Sequence, residues 1–222
     1  KRQKVMIFNI NKPIGWTSFD IVKKIRFITK ERKVGHGGTL DPFADGVLII
    51  GVGKGTKQLT SIVNENKTYE ATLLLGAETD TLDNEGKIVK SKSIPKFNDA
   101  TISEILKSFL GTYYQKPPMF SAKKVNGVRL YKLARKNIEI DRKLQNCSIF
   151  EISLISASND SIEFSVTCSK GTYVRVLGSD IAKKLGTVGY LTKLTRTRIG
   201  EHILSKSISI KNFESEWKSI KN

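Results

Sequence analysis

The sequence predicts an α+β protein. Strand-like and helix-like segments are interspersed along the chain, and several strands follow one another as hairpins. Neither an internal repeat nor a long flexible linker interrupts them. The 222 residues suffice for one large domain or two small ones. Only 39% of the chain is hydrophobic, but those residues are patterned, which implies a real core.

Residues 5–10 read as a first strand, broken by Asn11, Lys12, Pro13, Ile14 and Gly15. Thr17 or Ser18 then caps a helix with Ile21, Val22, Ile25 and Ile28 at helical spacing. The continuous apolar run 47–52 is a strand buried on both faces. Thr56 opens a helix with Leu59, Ile62 and Val63 on one face. Residues 68–75 alternate as a half-buried strand, with Tyr69, Ala71, Leu73 and Leu75 on one side. Residues 79–86 form an acidic loop. Asp99 caps a helix that turns Ile102, Ile105, Leu106 and Phe109 inward and ends with Gly111 at the C′ position.

Residues 115–137 have a different character. Pro117 and Pro118 open the stretch, Asn126 and Gly127 form a hairpin-like turn, and Lys123, Lys124, Arg129, Lys132, Arg135 and Lys136 load it with charge around Phe120 and Tyr131. The residues alone leave it open between a binding arm and a solvated charged hairpin. Residues 147–157 and 161–168 form an antiparallel pair turned at Asn159 and Asp160, with Ile162, Phe164, Val166 and Cys168 on one face. A helix with Leu177, Ile181 and Leu185 follows and is ended by Gly186. The last strand, 191–199, carries Lys193, Arg196 and Arg198, and residues 208–222 read as a short terminal helix with Phe213 and Trp217 on one side.

The formal net charge is +17, and a surface that basic attracts polyanions, nucleic acid first among them. No apolar run approaches the ~20 residues that cross a bilayer. Cys147 and Cys168 are the only cysteines and fall in strand-like segments, as buried free thiols of a reducing cytoplasm would. With His36 and His202 added, no spacing suggests a zinc site, so no metal is expected.

The chain is organised around residues 33–59. A glycine-rich turn containing Gly35, Gly37 and Gly38 delivers one carboxylate, Asp41, and the following Pro42 holds Asp41 in an extended or turn conformation. The run 51–57 gives neither a P-loop nor a complete G-x-G-x-x-G fingerprint, because Thr56 stands where the third glycine belongs. No nucleophile elbow and no H-E-x-x-H is present.

The motifs occur in a fixed order. Asn11-Lys12-Pro13-Ile14-Gly15-Trp16-Thr17-Ser18 comes first, then Gly35-His36-Gly37-Gly38-Thr39-Leu40-Asp41-Pro42 with Ala44-Asp45-Gly46-Val47-Leu48. Lys67-Thr68-Tyr69-Glu70-Ala71 and Thr79-Asp80-Thr81-Leu82-Asp83 follow. Next are Gln115-Lys116-Pro117-Pro118-Met119-Phe120-Ser121-Ala122-Lys123-Lys124, then Cys168-Ser169-Lys170-Gly171-Thr172-Tyr173-Val174-Arg175, and last Leu194-Thr195-Arg196-Thr197-Arg198-Ile199-Gly200. This series resembles the TruB family of tRNA pseudouridine synthases over nearly the whole chain. Gly37 departs from that family's usual threonine, and Asp45 from its threonine or serine.

The resemblance implies a pseudouridine-synthase fold, a mostly antiparallel central sheet flanked by helices with an RNA-gripping insertion. It implies a catalytic domain at 1–205, an insertion arm at about 115–137 and a helical tail at 206–222. After Gly200 only 22 residues remain, too few for the C-terminal RNA-binding domain that many members carry. The implied reaction isomerises uridine 55 in the tRNA T-loop, extruded from the RNA, with no cofactor and no metal. Asp41 would be the nucleophile, acting on the base or on the ribose carbon. Arg175 would be its charge partner, exchanging with Asp83 in the empty enzyme.

Tyr69 would stack on the base, and Tyr173 would remove the C5 proton. His36 would fill the place the base leaves, Lys12 would support the motif or contact phosphate, and Leu194 would close the pocket. Lys123, Lys124, Arg129 and Arg135 would contact the T-arm. The expected protein is a cytoplasmic monomer. The alternative is a catalytically silent RNA-binding module that kept the fold.

Overall fold

The computed structural model describes residues 5–125 and 127–221. The chain begins with β1 (Met6–Lys12), α1 (Ser18–Thr29), β2 (Val34–His36) and β3 (Asp45–Val52). A 3-10 turn (Gly53–Gln58) leads into α2 (Leu59–Asn64), β4 (Lys67–Leu75), β5 (Ala77–Thr79), β6 (Ile88–Ser91), α3 (Asp99–Lys107) and β7 (Gly111–Gln115). The arm carries β8 (Lys124–Val125), β9 (Val128–Arg129) and α4 (Leu130–Ala134). β10 (Gln145–Ala157), β11 (Ser161–Cys168), α5 (Val174–Lys184), β12 (Gly189–Ile199), β13 (His202–Ile203), β14 (Ile208–Ser209) and α6 (Ile210–Lys221) complete it. The fold is mixed α+β, with a large sheet flanked by helices. β1–β14 and β3–β12 pair in parallel, whereas β1–β3, β2–β3, β7–β10, β10–β11 and β12–β13 pair antiparallel.

The chain divides into two units, Lys1–Tyr69 with Leu194–Asn222, and Glu70–Lys193. In the first, β3 pairs with β1 in a register that sets Ile10 opposite Leu48 and Lys12 opposite Gly46. The capping box of Thr17 and Asp20 starts α1. Its buried Ile21, Val22 and Ile25 pack with Phe8, Ile10, Leu48, Ile50, Phe213 and Trp217. On the other face of β3, Val47 and Ile49 meet Leu59 and Ile199. Phe213 is fully buried and meets Phe8 edge-on at 5.0 Å, so the terminal helix is part of this core.

In the second unit, β10 and β11 pair with Leu154 opposite Phe164, and β7 pairs on the far edge of β10 with Tyr113 opposite Cys147. Ile162, Phe164, Val166 and Cys168 lie fully buried on one face, as their alternation predicts. The short edge strand β7 and the helix α4 have no counterpart in the sequence reading. Asn98, not Asp99, caps α3, its side chain accepting from the Thr101 N–H. Gly111 begins β7 rather than ending that helix, and β1 continues through Lys12. α2 begins at Leu59 because the 3-10 turn takes up residues from 53 on, and Val63 is exposed. The predicted turn at Asn126 lies outside the described residues. Gly127 beside it has φ of +80°, and β8 and β9 pair around it.

A pH effect follows from β7. The Tyr113 hydroxyl donates to Asp180 Oδ2 at 2.6 Å. Burial first, and then that carboxylate, push the phenol well above its ordinary value of 10.0. The folded protein therefore keeps this proton while the unfolded chain releases it. The stabilisation is complete below pH ~10 and is lost as pH rises beyond it. Urea titrations at pH 8 and pH 11 check this: Tyr113→Phe is expected to cost ~1–2 kcal/mol at pH 8 and to lose less stability on going to pH 11 than the parent.

Candidate active site

The turn that presents Asp41 is held from three directions through its backbone. Ser18 Oγ accepts from the Leu40 N–H at 2.9 Å and donates to the Leu40 carbonyl at 3.1 Å. Lys12 Nζ, at the end of β1, donates to the carbonyls of Trp16 at 2.7 Å, Pro13 at 2.9 Å and Pro42 at 3.4 Å. Arg196, from β12, donates to Val47 O at 2.8 Å, Gly38 O at 3.1 Å and Thr39 O at 3.2 Å. Lys12 is 0% and Arg196 1% exposed, so both are fully buried cations whose donors end on main-chain oxygens. A buried charge is tolerated only when it is hydrogen-bonded in this way.

Asp41 is half-buried at the head of this turn, and its carbonyl accepts from the Ala44 N–H at 3.1 Å. Gly46 has φ of +106°, and a Cβ there would collide with the Arg196 carbonyl oxygen, so β3 and β12 approach this closely only because the residue is glycine. Gly37, where the family's threonine would stand, packs its Cα side against Ile62 and Leu59. His36 is half-buried on β2, Tyr69 is 7% exposed on β4, and Leu194 is 5% exposed on β12.

The second unit holds the other candidates. Arg175 is 3% exposed. It donates to Thr81 O at 2.6 Å and to Phe120 O at 2.8 Å, and its Nη1 lies 3.5 Å from Asp83 Oδ2. The Asp83 carboxylate also accepts from Thr81 Oγ1 at 2.6 Å and from the Glu85 N–H at 3.0 Å, which fixes the acidic loop around the arginine. Tyr173 is half-buried at the N-cap of α5, and Gln115 grips its backbone.

In the arm, Lys124, Arg129 and Arg135 are exposed, and the Arg135 guanidinium lies over the Tyr131 ring at 5.4 Å. Lys124, Arg129, Tyr131 and Lys132 line an open concavity of about 460 Å³. Lys123 differs: it is half-buried and donates to Gln145 Oε1 at 2.9 Å.

Sequence reasoning missed Gln115 and the role of Arg196. Two signals pointed to Arg196: its place in the Leu194–Gly200 motif, and its spacing two residues after Leu194, which puts both on one face of the last strand. Among the described residues no group of His, Cys, Asp and Glu side chains is placed to hold a metal ion, and no helix is long and apolar enough to cross a membrane.

The fold is shared with solved structures. The chain superposes on a structure described as "Crystal Structure of a Cbf5-Nop10-Gar1 Complex" with a TM-score of 0.76 and 25% identity, over 97% of this chain and 55% of that one. It also superposes on "Structure of H/ACA RNP bound to a substrate RNA containing 2'-deoxyuridine", with a TM-score of 0.71 and 24% identity, again over 97% and 55%. Residues 26–174 match the family described as TruB family pseudouridylate synthase (N terminal domain). The tRNA pseudouridine synthase B of Clostridium kluyveri is 48% identical over 95% of this chain and 72% of its own length, and that of Clostridium acetobutylicum 45% identical over the same shares. The fold is thus that of a pseudouridine synthase, and the enzyme is an isomerase. Within that class the chain belongs to the TruB family.

Proposed function

We propose that the protein isomerises uridine 55 in the T-loop of tRNA to pseudouridine, with Asp41 as the nucleophile. The N1–C1′ glycosidic bond breaks, the base turns, and a C5–C1′ bond forms; the C5 proton leaves and N1 gains one. Atoms and electrons balance within the nucleoside, so the reaction consumes no co-substrate and no redox equivalent. The observation that carries the reading is the Asp41 turn, which two buried cations fix through its main chain while a half-buried carboxylate stands at its head.

Each candidate takes a role consistent with its surroundings. Tyr69 stacks on the extruded base, a contact worth ~1–3 kcal/mol against an unstacking cost of a few kcal/mol. Tyr173 takes the C5 proton. Arg175 supports the charge that develops during reaction, and its 3.5 Å pairing with Asp83 is the resting arrangement. His36 occupies the place the base leaves, Leu194 closes the pocket, and Lys12 supports the turn. The arm grips the T-stem and loop with Lys124, Arg129 and Arg135, while Lys123 braces the arm's base. A catalytic domain of residues 1–205, with the helical tail 206–222 packed into its core through Phe213 and Trp217 and acting as a cytoplasmic monomer, completes the proposal.

Tritium release from tRNA carrying 5-tritiated uridine tests it. Release in step with pseudouridine formation is expected. Tight tRNA binding with no release would favour a silent RNA-binding module. The arm makes a separate prediction: Lys124→Glu with Arg129→Glu should raise KM ~10-fold or more with kcat little changed, and should flatten the salt dependence of binding by ~2 in log–log slope. A parent titration already flat between low and physiological salt would count against a phosphate-docking surface.

A further inference from the structure

We infer that Gln115 is a positioning residue for Tyr173 and Arg175, and that it joins the base of the arm to the chemistry. The inference rests on the roles proposed above for those two residues. Gln115 is the last residue of β7, where the arm leaves the sheet, and is 1% exposed. Its Oε1 accepts from the Tyr173 N–H at 2.6 Å, and its Nε2 donates to the Tyr173 carbonyl at 3.4 Å. One side-chain amide thus engages both backbone groups of the same residue.

Tyr173 is the N-cap of α5, and its own side chain does not cap the helix. Fixing the peptide groups on both sides of Tyr173 fixes the direction in which its ring leaves the chain. It also fixes the start of the helix that carries Arg175 two residues later. A primary amide suits this task because it offers one acceptor and one donor in a plane, without a charge to bury.

Two further ties connect the arm's base to the same turn. Arg175 donates to Phe120 O at 2.8 Å. Lys123 donates to Gln145, whose Nε2 donates to Gly171 O at 3.2 Å. Gly171 has φ of +81°, and a Cβ there would collide with Gln145 Nε2. The segment that enters the arm therefore meets the 171–175 turn directly at Tyr173 and Arg175, and reaches Gly171 through Gln145. RNA seated on the arm loads the same turn that carries Tyr173 and Arg175.

Gln115→Met, close in volume and without hydrogen bonds, tests the inference by steady-state kinetics on tRNA, RNA binding and thermal melting. The expected result is a kcat lower by ~30- to 100-fold, the scale of a ~1 Å misplacement, with KM and RNA affinity within about three-fold because Lys124 and Arg129 remain. An unchanged kcat, or a loss confined to KM, would overturn it. If this variant does not fold, the half-exposed Gln145 carries the test: Gln145→Ala should lower kcat ~5- to 10-fold at unchanged KM, and a parent-like kcat would overturn the inference. Asp41→Asn run in parallel separates the failures. Activity in that variant would defeat the functional reading, whereas an inactive Asp41→Asn beside a parent-like Gln115→Met would defeat this inference alone.

Discussion

Asp41→Asn is expected to reduce turnover by ~10⁴-fold or more while leaving tRNA affinity and melting temperature close to those of the parent. The substitution keeps shape and volume and removes only the carboxylate proposed above as the nucleophile. The turn should tolerate it. Lys12, Arg196 and Ser18 all grip main-chain atoms of this segment, and Asp41's own carbonyl accepts from Ala44. None of those contacts changes when Oδ becomes Nδ. A side chain whose surroundings are secured through the backbone can be specialised for chemistry, and its loss should appear in kcat and not in folding. Single-turnover tritium release with saturating enzyme gives the chemical step, and filter binding gives the affinity. Turnover equal to the parent would remove Asp41 from the reaction. A collapse in melting temperature would show that the carboxylate itself holds the turn.

The parts of the fold that follow from apolar period were legible. β4 buries alternate side chains from Lys67 to Leu75, and β11 those from Ile162 to Cys168, both as their sequences alternate. The Asp41 turn was legible because glycines free the backbone for a turn and a following proline restricts Asp41. From the family resemblance Lys12 was expected to support it, but the Arg196 clamp was not foreseen. Lysine and arginine read as surface residues unless something compensates their burial, and for Arg196 the compensation comes from carbonyls of distant residues. Carbonyl oxygens are the same in every sequence, so a cation that ends on Val47, Thr39 and Gly38 leaves no complementary acid to find.

The same reason hid Gln115, whose partners are the two backbone groups of one tyrosine 58 positions away. The short elements β7 and α4 each have five residues, too few to establish a period. Phe213 and Trp217 showed the correct helical face. Their place in the core depended on Phe8, more than two hundred positions earlier, which local pattern does not reach.

Arg196→Lys separates charge from geometry at the turn, and a large effect is expected despite the conserved charge. Three of the guanidinium's nitrogens reach carbonyls on two segments, Val47 on β3 and Gly38 with Thr39 on the approach to Asp41. An ammonium is a single point with donors fanned around one nitrogen, and it cannot span both segments. Whichever side it serves, the other loses its donor, at ~1–3 kcal/mol for the fully buried Val47 carbonyl and less for the part-buried Gly38 and Thr39 carbonyls, so the expected loss of stability is about 1–3 kcal/mol in urea unfolding.

The chemical consequence is separable from the stability loss. At a temperature where the variant remains folded, the Gly38–Thr39 segment loses its tie while Lys12 still holds Pro42 and Ser18 still holds Leu40. The carboxylate then sits on a turn that has lost one of its three ties, and kcat should fall ~10- to 100-fold. Arg196→Met should be worse on both measures, because it leaves all three acceptors unpaired. If Arg196→Lys matched the parent in urea midpoint and in kcat, the fork would be dispensable, and Lys12 with Ser18 would alone account for the posture of Asp41.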